Sequence, residues 1–195
     1  MDLLITEIKQ RNPRPPQLEE AALLAWPDPG YRDLMINREP VVATFDALLT
    51  ASWNSAALAT RTSWPPERRL DGTRLVRLLR GSSYAVLAST RPDGRPHAAP
   101  VSYRLAEDAS IWLPTAAEAV RLRNVTDQPW VSFVISQGYG EEHFAVLIEG
   151  DARCVRPTVA NLPDVAATTD EWVESWIVLT PQRALAYAAA SAPLP

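Results

Sequence analysis

The chain has 195 residues, 47% hydrophobic and 22% charged, with a formal net charge of −4. That length suits one domain plus an extension, or two small units, and it buries a core without disulfide staples. Collagen-like, coiled-coil and wholly disordered classes are excluded by composition, and net acidity speaks against a general nucleic-acid binder.

Eighteen Arg stand against a single Lys, Lys9, so a phosphate contact in the body of the chain has to come from Arg. Cys154 is the only cysteine, which removes any internal disulfide and any cysteine-built zinc site. Its place after the alternating run Ile148 to Arg153 reads as a packed strand thiol. The first residues, Met1 to Glu7, carry acids where a secretory signal carries Lys or Arg, and no apolar stretch reaches membrane-spanning length. The expectation is a soluble cytoplasmic protein with neither membrane nor nucleic acid as partner.

Composition divides the chain near residue 70, giving a Pro- and Trp-rich helical extension over 1–70 and a second unit over 71–195. In the extension, Gln17 to Trp26 has acids in its first turn and stops before Pro27, as a short helix does. Thr44 to Leu58 places Phe45, Leu48, Leu49 and Trp53 on one helical stripe. The segments Asn12 to Pro16 and Trp64 to Glu67 read as turn-rich or extended. Trp26, Trp53 and Trp64 each need an apolar surface, so this part is expected to pack against the main domain or a second subunit.

From Asp71, a helix capped by that residue presents Leu75, Leu78 and Leu79 and stops at Gly81. Strand-like runs over Tyr84 to Thr90 and His97 to Leu105 flank the turn Pro92-Asp93-Gly94, which predicts a hairpin. Further strands are expected over Ser110 to Pro114, Trp130 to Ser136, Phe144 to Val155 and Trp176 to Tyr187, the last interrupted at Pro181. Short helices are expected over Glu118 to Thr126 and at Glu171 to Glu174. This order suggests a closed or partly closed antiparallel barrel, and no Gly-rich phosphate loop follows a strand.

The ordered set Ala85-Val86-Leu87-Ala88-Ser89-Thr90, Pro92 to His97, Pro100-Val101, Thr115, Arg121 to Val125, Asp127-Gln128-Pro129, Val131, Glu149 to Ala152 and Ile177 to Arg183 resembles the pyridoxamine 5′-phosphate oxidase-like superfamily, the flavin-binding split barrels. The resemblance covers roughly residues 71–187. It implies a mainly β fold with helices, a six-stranded antiparallel split β-barrel forming a homodimer with cofactor sites at the subunit interface. The implied activity is oxidoreduction of a small-molecule substrate. The implied cofactor is flavin mononucleotide (FMN), with a deazaflavin or heme in other branches.

By the same resemblance, Pro100, Val101 and Ser102 line the flavin ring, Arg104 matches a basic position, and Pro114, Thr115 and Arg121 approach the phosphate. Departures accompany it. The vitamin-salvage oxidases have Arg at the position of Ala99, Ser-Arg-Lys at Ala119-Val120-Arg121, a Gln near Ala145 and a C-terminal Arg/Trp motif absent from Ala184 to Pro195. Pyridoxamine phosphate oxidation itself is therefore not expected.

Read alone, Arg121 and Arg104 are solvated arginines, and only the resemblance makes them ligand contacts. Arg123 reads as a solvated helix residue. His97 either borders the cofactor or serves as a proton donor, or is a partly exposed strand histidine. His143 reads as a loop residue, with heme ligation the alternative. Trp130 reads as packing or as a cover for the dimer interface or the cofactor ring, and Tyr139 as a reach toward a neighbouring subunit's site. No pair of residues has metal-ligand spacing, and Ser102 lacks the surroundings of a hydrolase nucleophile. Beside the FMN-dependent oxidoreductase, a second reading is a deazaflavin-dependent hydride-transfer reductase, and the third is a non-catalytic split barrel that carries or senses a flavin, heme or other small ligand.

Overall fold

The computed structural model describes residues 39–156 and 170–192. The helix expected over Gln17 to Trp26 and the segment Asn12 to Pro16 lie outside them. Helix α1 spans Pro40–Ser55 and buries Val41, Val42, Phe45, Leu49, Ser52 and Trp53. It begins four residues before the expected start because Pro40 occupies its first turn, where a missing N–H costs nothing. A short helix α2 follows over Leu58–Ser63.

Helix α3, Gly72–Gly81, has Asp71 as its cap, the carboxylate accepting from the Arg74 amide at 2.8 Å. Its first residue sits hard against α1: the Gly72 amide donates to Asp46 Oδ1 at 2.6 Å. A β-carbon at Gly72 would lie 2.5 Å from the Val42 carbonyl oxygen, so only glycine allows this docking.

Seven strands form one antiparallel sheet. They are β1 (Tyr84–Thr90), β2 (Pro96–Ser102), β3 (Arg104–Leu105), β4 (Ile111–Thr115), β5 (Trp130–Gln137), β6 (Phe144–Val155) and β7 (Ser175–Ala188), in the order β2-β1-β5-β6-β7-β4-β3. The two ends of this order, β2 and β3, are separated in the chain by Tyr103 alone. The sheet must therefore curl until its ends meet, which makes it a split barrel.

The strand expected over His97 to Leu105 is thus two strands, and this break brings the count from six to seven. Its cause is long-range. Tyr103 is buried, its hydroxyl donates to the Leu79 carbonyl of α3 at 2.8 Å, and its ring meets Phe133 edge-on at 4.8 Å. Burial pushes the phenol well above its ordinary pKa.

Strand β7 corrects a second expectation, because it runs through Pro181 without interruption. Glu149 pairs with Arg183 and Gly150 with Pro181, so Gln182 is an extra residue and the strand bulges there. The bulge brings the Thr180 carbonyl oxygen to 2.1 Å from where a β-carbon of Gly150 would stand, so this position has to be glycine. Glu171 and Trp172 form a turn, not the expected helix, and the chain enters β7 at Ser175.

The core lies inside the curl, with Leu87, Ile111, Leu113, Phe133, Ile135, Ile148, Ile177 and Leu75 under 3% exposed. Beyond its pairing with β4, β7 would show a bare edge. Residues before 71 cover it: the Leu70 amide donates to the Ala186 carbonyl at 3.0 Å, and the Ala184 amide to Ser52 Oγ at 2.9 Å. Trp64 packs between Trp53 and Tyr187, with ring centroids 5.8 and 5.2 Å away. The described residues belong to one compact unit.

Candidate functional site

Helix α4, Val120–Asp127, is two turns long and poorly stabilised by itself. Its cap residue, Ala119, offers no side-chain bond, and its first turn carries no acid. It docks through Asn124 and Val125, its only buried residues. One turn before Asn124, Arg121 lies half-buried and donates from Nε to Thr115 Oγ1 at 3.3 Å. Thr115 is fully buried at the end of β4, and its hydroxyl donates to the Leu113 carbonyl at 3.1 Å.

Among the described residues no carboxylate pairs with Arg121. Burial, with no opposing charge, holds its guanidinium below the ordinary arginine pKa. A guanidinium stays protonated in proteins, so Arg121 carries a positive charge partly stripped of water, with donors beyond Nε to offer. Chemically this suits an anion able to take a fork of N–H bonds.

Arg121 and Thr115 are the two expected site residues that the fold joins; the others are distributed differently. Pro114 stands opposite Trp176 in the β4–β7 ladder, and Arg104 opposite Trp112. Successive strand residues face opposite ways, so Pro114 and Arg104 lie across the sheet from Thr115. There Trp112 and Trp176 meet edge-on at 6.0 Å, and the Arg104 guanidinium lies 5.8 Å from the Trp176 ring. Val101 is 4% exposed and faces the core, so it can offer a ligand only its backbone. Pro100 and Ser102 face outward on β2.

Pro100 borders an open cleft of about 250 Å³ on the outer side of β2, β1 and β5, walled by Tyr84, Val86, Val134 and Ser136. Tyr84 is 69% and Val86 41% exposed, a large apolar display for a sheet face. Along β1 the cleft at Val86 is three residues, or ~10 Å, from Ser89, whose side chain faces inward against α4.

Asn124 did not stand out in the sequence, whereas His97 and His143 did. Asn124 is 1% exposed and donates from Nδ2 to Ser89 Oγ at 2.9 Å, while its Oδ1 has no partner among the described residues. His97 stands opposite Ser89 in the β1–β2 ladder, half-buried, with Nδ1 buried and unpartnered. His143 is more than a loop residue. Its Nε2 lies 3.2 Å from Ser136 Oγ at the cleft, and its Nδ1 lies 3.5 Å from the Tyr187 hydroxyl.

Cys154 is exposed, contrary to the packed thiol expected, and donates to the Leu122 carbonyl of α4 at 3.5 Å. Arg123 is exposed as expected, Trp130 is 47% exposed, and Tyr139 is 93% exposed. No group of three or more His, Cys, Asp or Glu suited to a metal occurs among the described residues. Nor is any described helix long and apolar enough to cross a membrane.

Residues 73–191, more than half of the chain, match the family model of pyridoxamine 5′-phosphate oxidase. No protein of curated function matches the chain. Among solved structures, a conserved hypothetical protein of Mycobacterium tuberculosis is similar with a TM-score of 0.57 at 19% identity, over 66% of this chain and 91% of that one. The FAD binding protein of Mycobacterium smegmatis is similar with a TM-score of 0.49 at 19% identity, over 61% and 95%. A heme binding protein of the same organism gives 0.46 at 24% identity, over 58% and 52%. At such identities the likeness is one of fold.

Proposed function

The chain belongs to the pyridoxamine 5′-phosphate oxidase family, and on that premise we propose that it is a flavin-binding oxidoreductase that takes FMN and acts on a small molecule other than pyridoxamine phosphate. The observation that carries the cofactor reading is Arg121, a half-buried guanidinium beside Thr115 with no carboxylate partner among the described residues. Its donor set fits a phosphate monoester, and Thr115 orients the fork. Pro100 and Ser102 offer an outward-facing surface for the ring, and Arg104 supplies a second positive charge on that side of the sheet.

A bound flavin supplies the hydride chemistry itself, which leaves the protein to bind, orient and exclude water. Ser136 and His143 are the groups at the cleft able to hold and pass a proton. The exposed apolar face of Tyr84, Val86, Pro100 and Val134 supports a homodimer closing over it. An exposed, unpaired thiol at Cys154 suits the reducing cytoplasm.

A second reading, a non-catalytic flavin carrier, is favoured by Ala99 and Ala119, where the salvage oxidases hold basic and polar phosphate contacts. Heme ligation by His143 would sacrifice its contacts with Ser136 and Tyr187. The test is to purify the protein without added ligand, record its visible spectrum, and titrate FMN, a deazaflavin and heme separately. A yellow dimer that binds FMN and turns over a reductant supports the proposal. Tight binding without turnover supports the carrier, and deazaflavin binding without FMN binding overturns the choice of cofactor.

A further inference from the structure

Asn124 is a costly residue for its place. It is 1% exposed in a helix whose only other buried residue is Val125, and its Oδ1 has no partner among the described residues. A leucine has the same branched outline, with greater volume, and would bury apolar surface there in place of an amide. What asparagine adds is direction. Its Nδ2 donates at 2.9 Å to Ser89 Oγ, itself 5% exposed on β1.

The other side-chain ties of α4 are softer. The Cys154 thiol donates to the Leu122 carbonyl at 3.5 Å and lies 3.8 Å from Thr126 Oγ1, both at solvent-exposed positions. A two-turn helix without a side-chain cap, held by one apolar residue, has little to fix its rotation about its own axis. Arg121 lies three residues before Asn124 and therefore on the same face.

We infer that Asn124 is a positioning residue: its bond to Ser89 fixes the rotation of α4 and so keeps the Arg121 guanidinium at Thr115, turned toward an incoming anion. The inference rests on the reading of Arg121 as an anion contact, but its geometric part is testable without any ligand. Stability and site geometry are separable here, because an apolar residue at 124 satisfies packing without specifying rotation.

The experiment compares the full chain with Asn124→Leu and, from the other end of the bond, Ser89→Ala. In the ligand-free protein, NMR follows solvent exchange of the Arg121 Nε–H. Exchange is expected to quicken about tenfold or more in both variants, a one-bond effect, while backbone amide signals outside α4 stay in place. In the ligand arm, FMN and riboflavin, which lacks the phosphate, are titrated separately. The Kd for FMN is expected to rise about tenfold in both variants, with riboflavin unchanged. Unchanged Nε–H exchange in both variants, or equal losses for FMN and riboflavin, would overturn the positioning role. Failure of the parent chain to bind FMN would sink the cofactor reading alone, and the exchange measurement would still decide the role of Asn124.

Discussion

Arg183 and Arg121 are both part-buried guanidinium groups, and their surroundings treat them differently. Arg183 lies on β7 with its side chain 39% exposed, 3.0 Å from a Glu149 carboxylate that is only 18% exposed. Glu149 also accepts from Ser132 Oγ at 3.1 Å, so three neighbouring strands are joined by one neutral ladder. Arg121 has a threonine hydroxyl and, among the described residues, no counter-charge. One arginine completes the structure, while the other leaves a charge balance for something else to complete. A half-buried cation without an anion costs stability.

The largest expected effect breaks the scaffold on the balanced side. Gly150→Val drives side-chain carbons into the Thr180 carbonyl at the bulge that aligns Glu149 with Arg183. It should lower unfolding stability by ~3 kcal/mol, the upper end for overpacking, read from the urea midpoint.

Next is Arg121→Ala, which should weaken FMN binding by ~1.5–3 kcal/mol, the worth of a charge-assisted hydrogen bond, in a flavin fluorescence titration. Unchanged affinity would return Arg121 to the solvated reading. The same charge should then respond oppositely on the two sides. Arg121→Met should leave the melting temperature unchanged or raised, whereas Glu149→Gln, which strands Arg183, should cost ~0.5–1 kcal/mol after solvent screening. Equal losses from both would erase the distinction.

The smallest effect belongs to Asp93 in the hairpin turn. Arg95 beside it holds the carboxyl below the usual range, so its contribution is present above the ordinary carboxylate pKa and is lost as pH falls through the depressed value. Because the pair is exposed, Asp93→Asn should leave thermal melting at pH 7 unchanged.

Much of this was legible in residue order, for reasons that are local. The Pro92-Asp93-Gly94 turn sets the first hairpin, and Gly94 takes the positive φ it is suited to. Strands β5 and β6 have clean apolar periods, and their observed bounds, Trp130–Gln137 and Phe144–Val155, fall within a residue of those expected. Period two also separates Val101 from Pro100 and Ser102, so the inward turn of Val101 could have been read in advance.

What could not be read depends on distant partners. The break at Tyr103 needs the Leu79 carbonyl, continuity through Pro181 needs a bulge opposite Gly150, and the weight on Asn124 needs Ser89 from another strand. The exposure of Cys154 depends on where α4 comes to lie. In each case the deciding atom is supplied by tertiary packing, which propensity does not encode.

The claim that Arg121 is a phosphate contact is tested most directly by the ratio of riboflavin to FMN dissociation constants, measured on the parent chain and on Arg121→Ala under identical salt. The expected result is tighter binding of FMN by the parent and near-equal binding of the two flavins by the variant. A parent that binds both equally, or a variant that keeps the full preference for FMN, would contradict it.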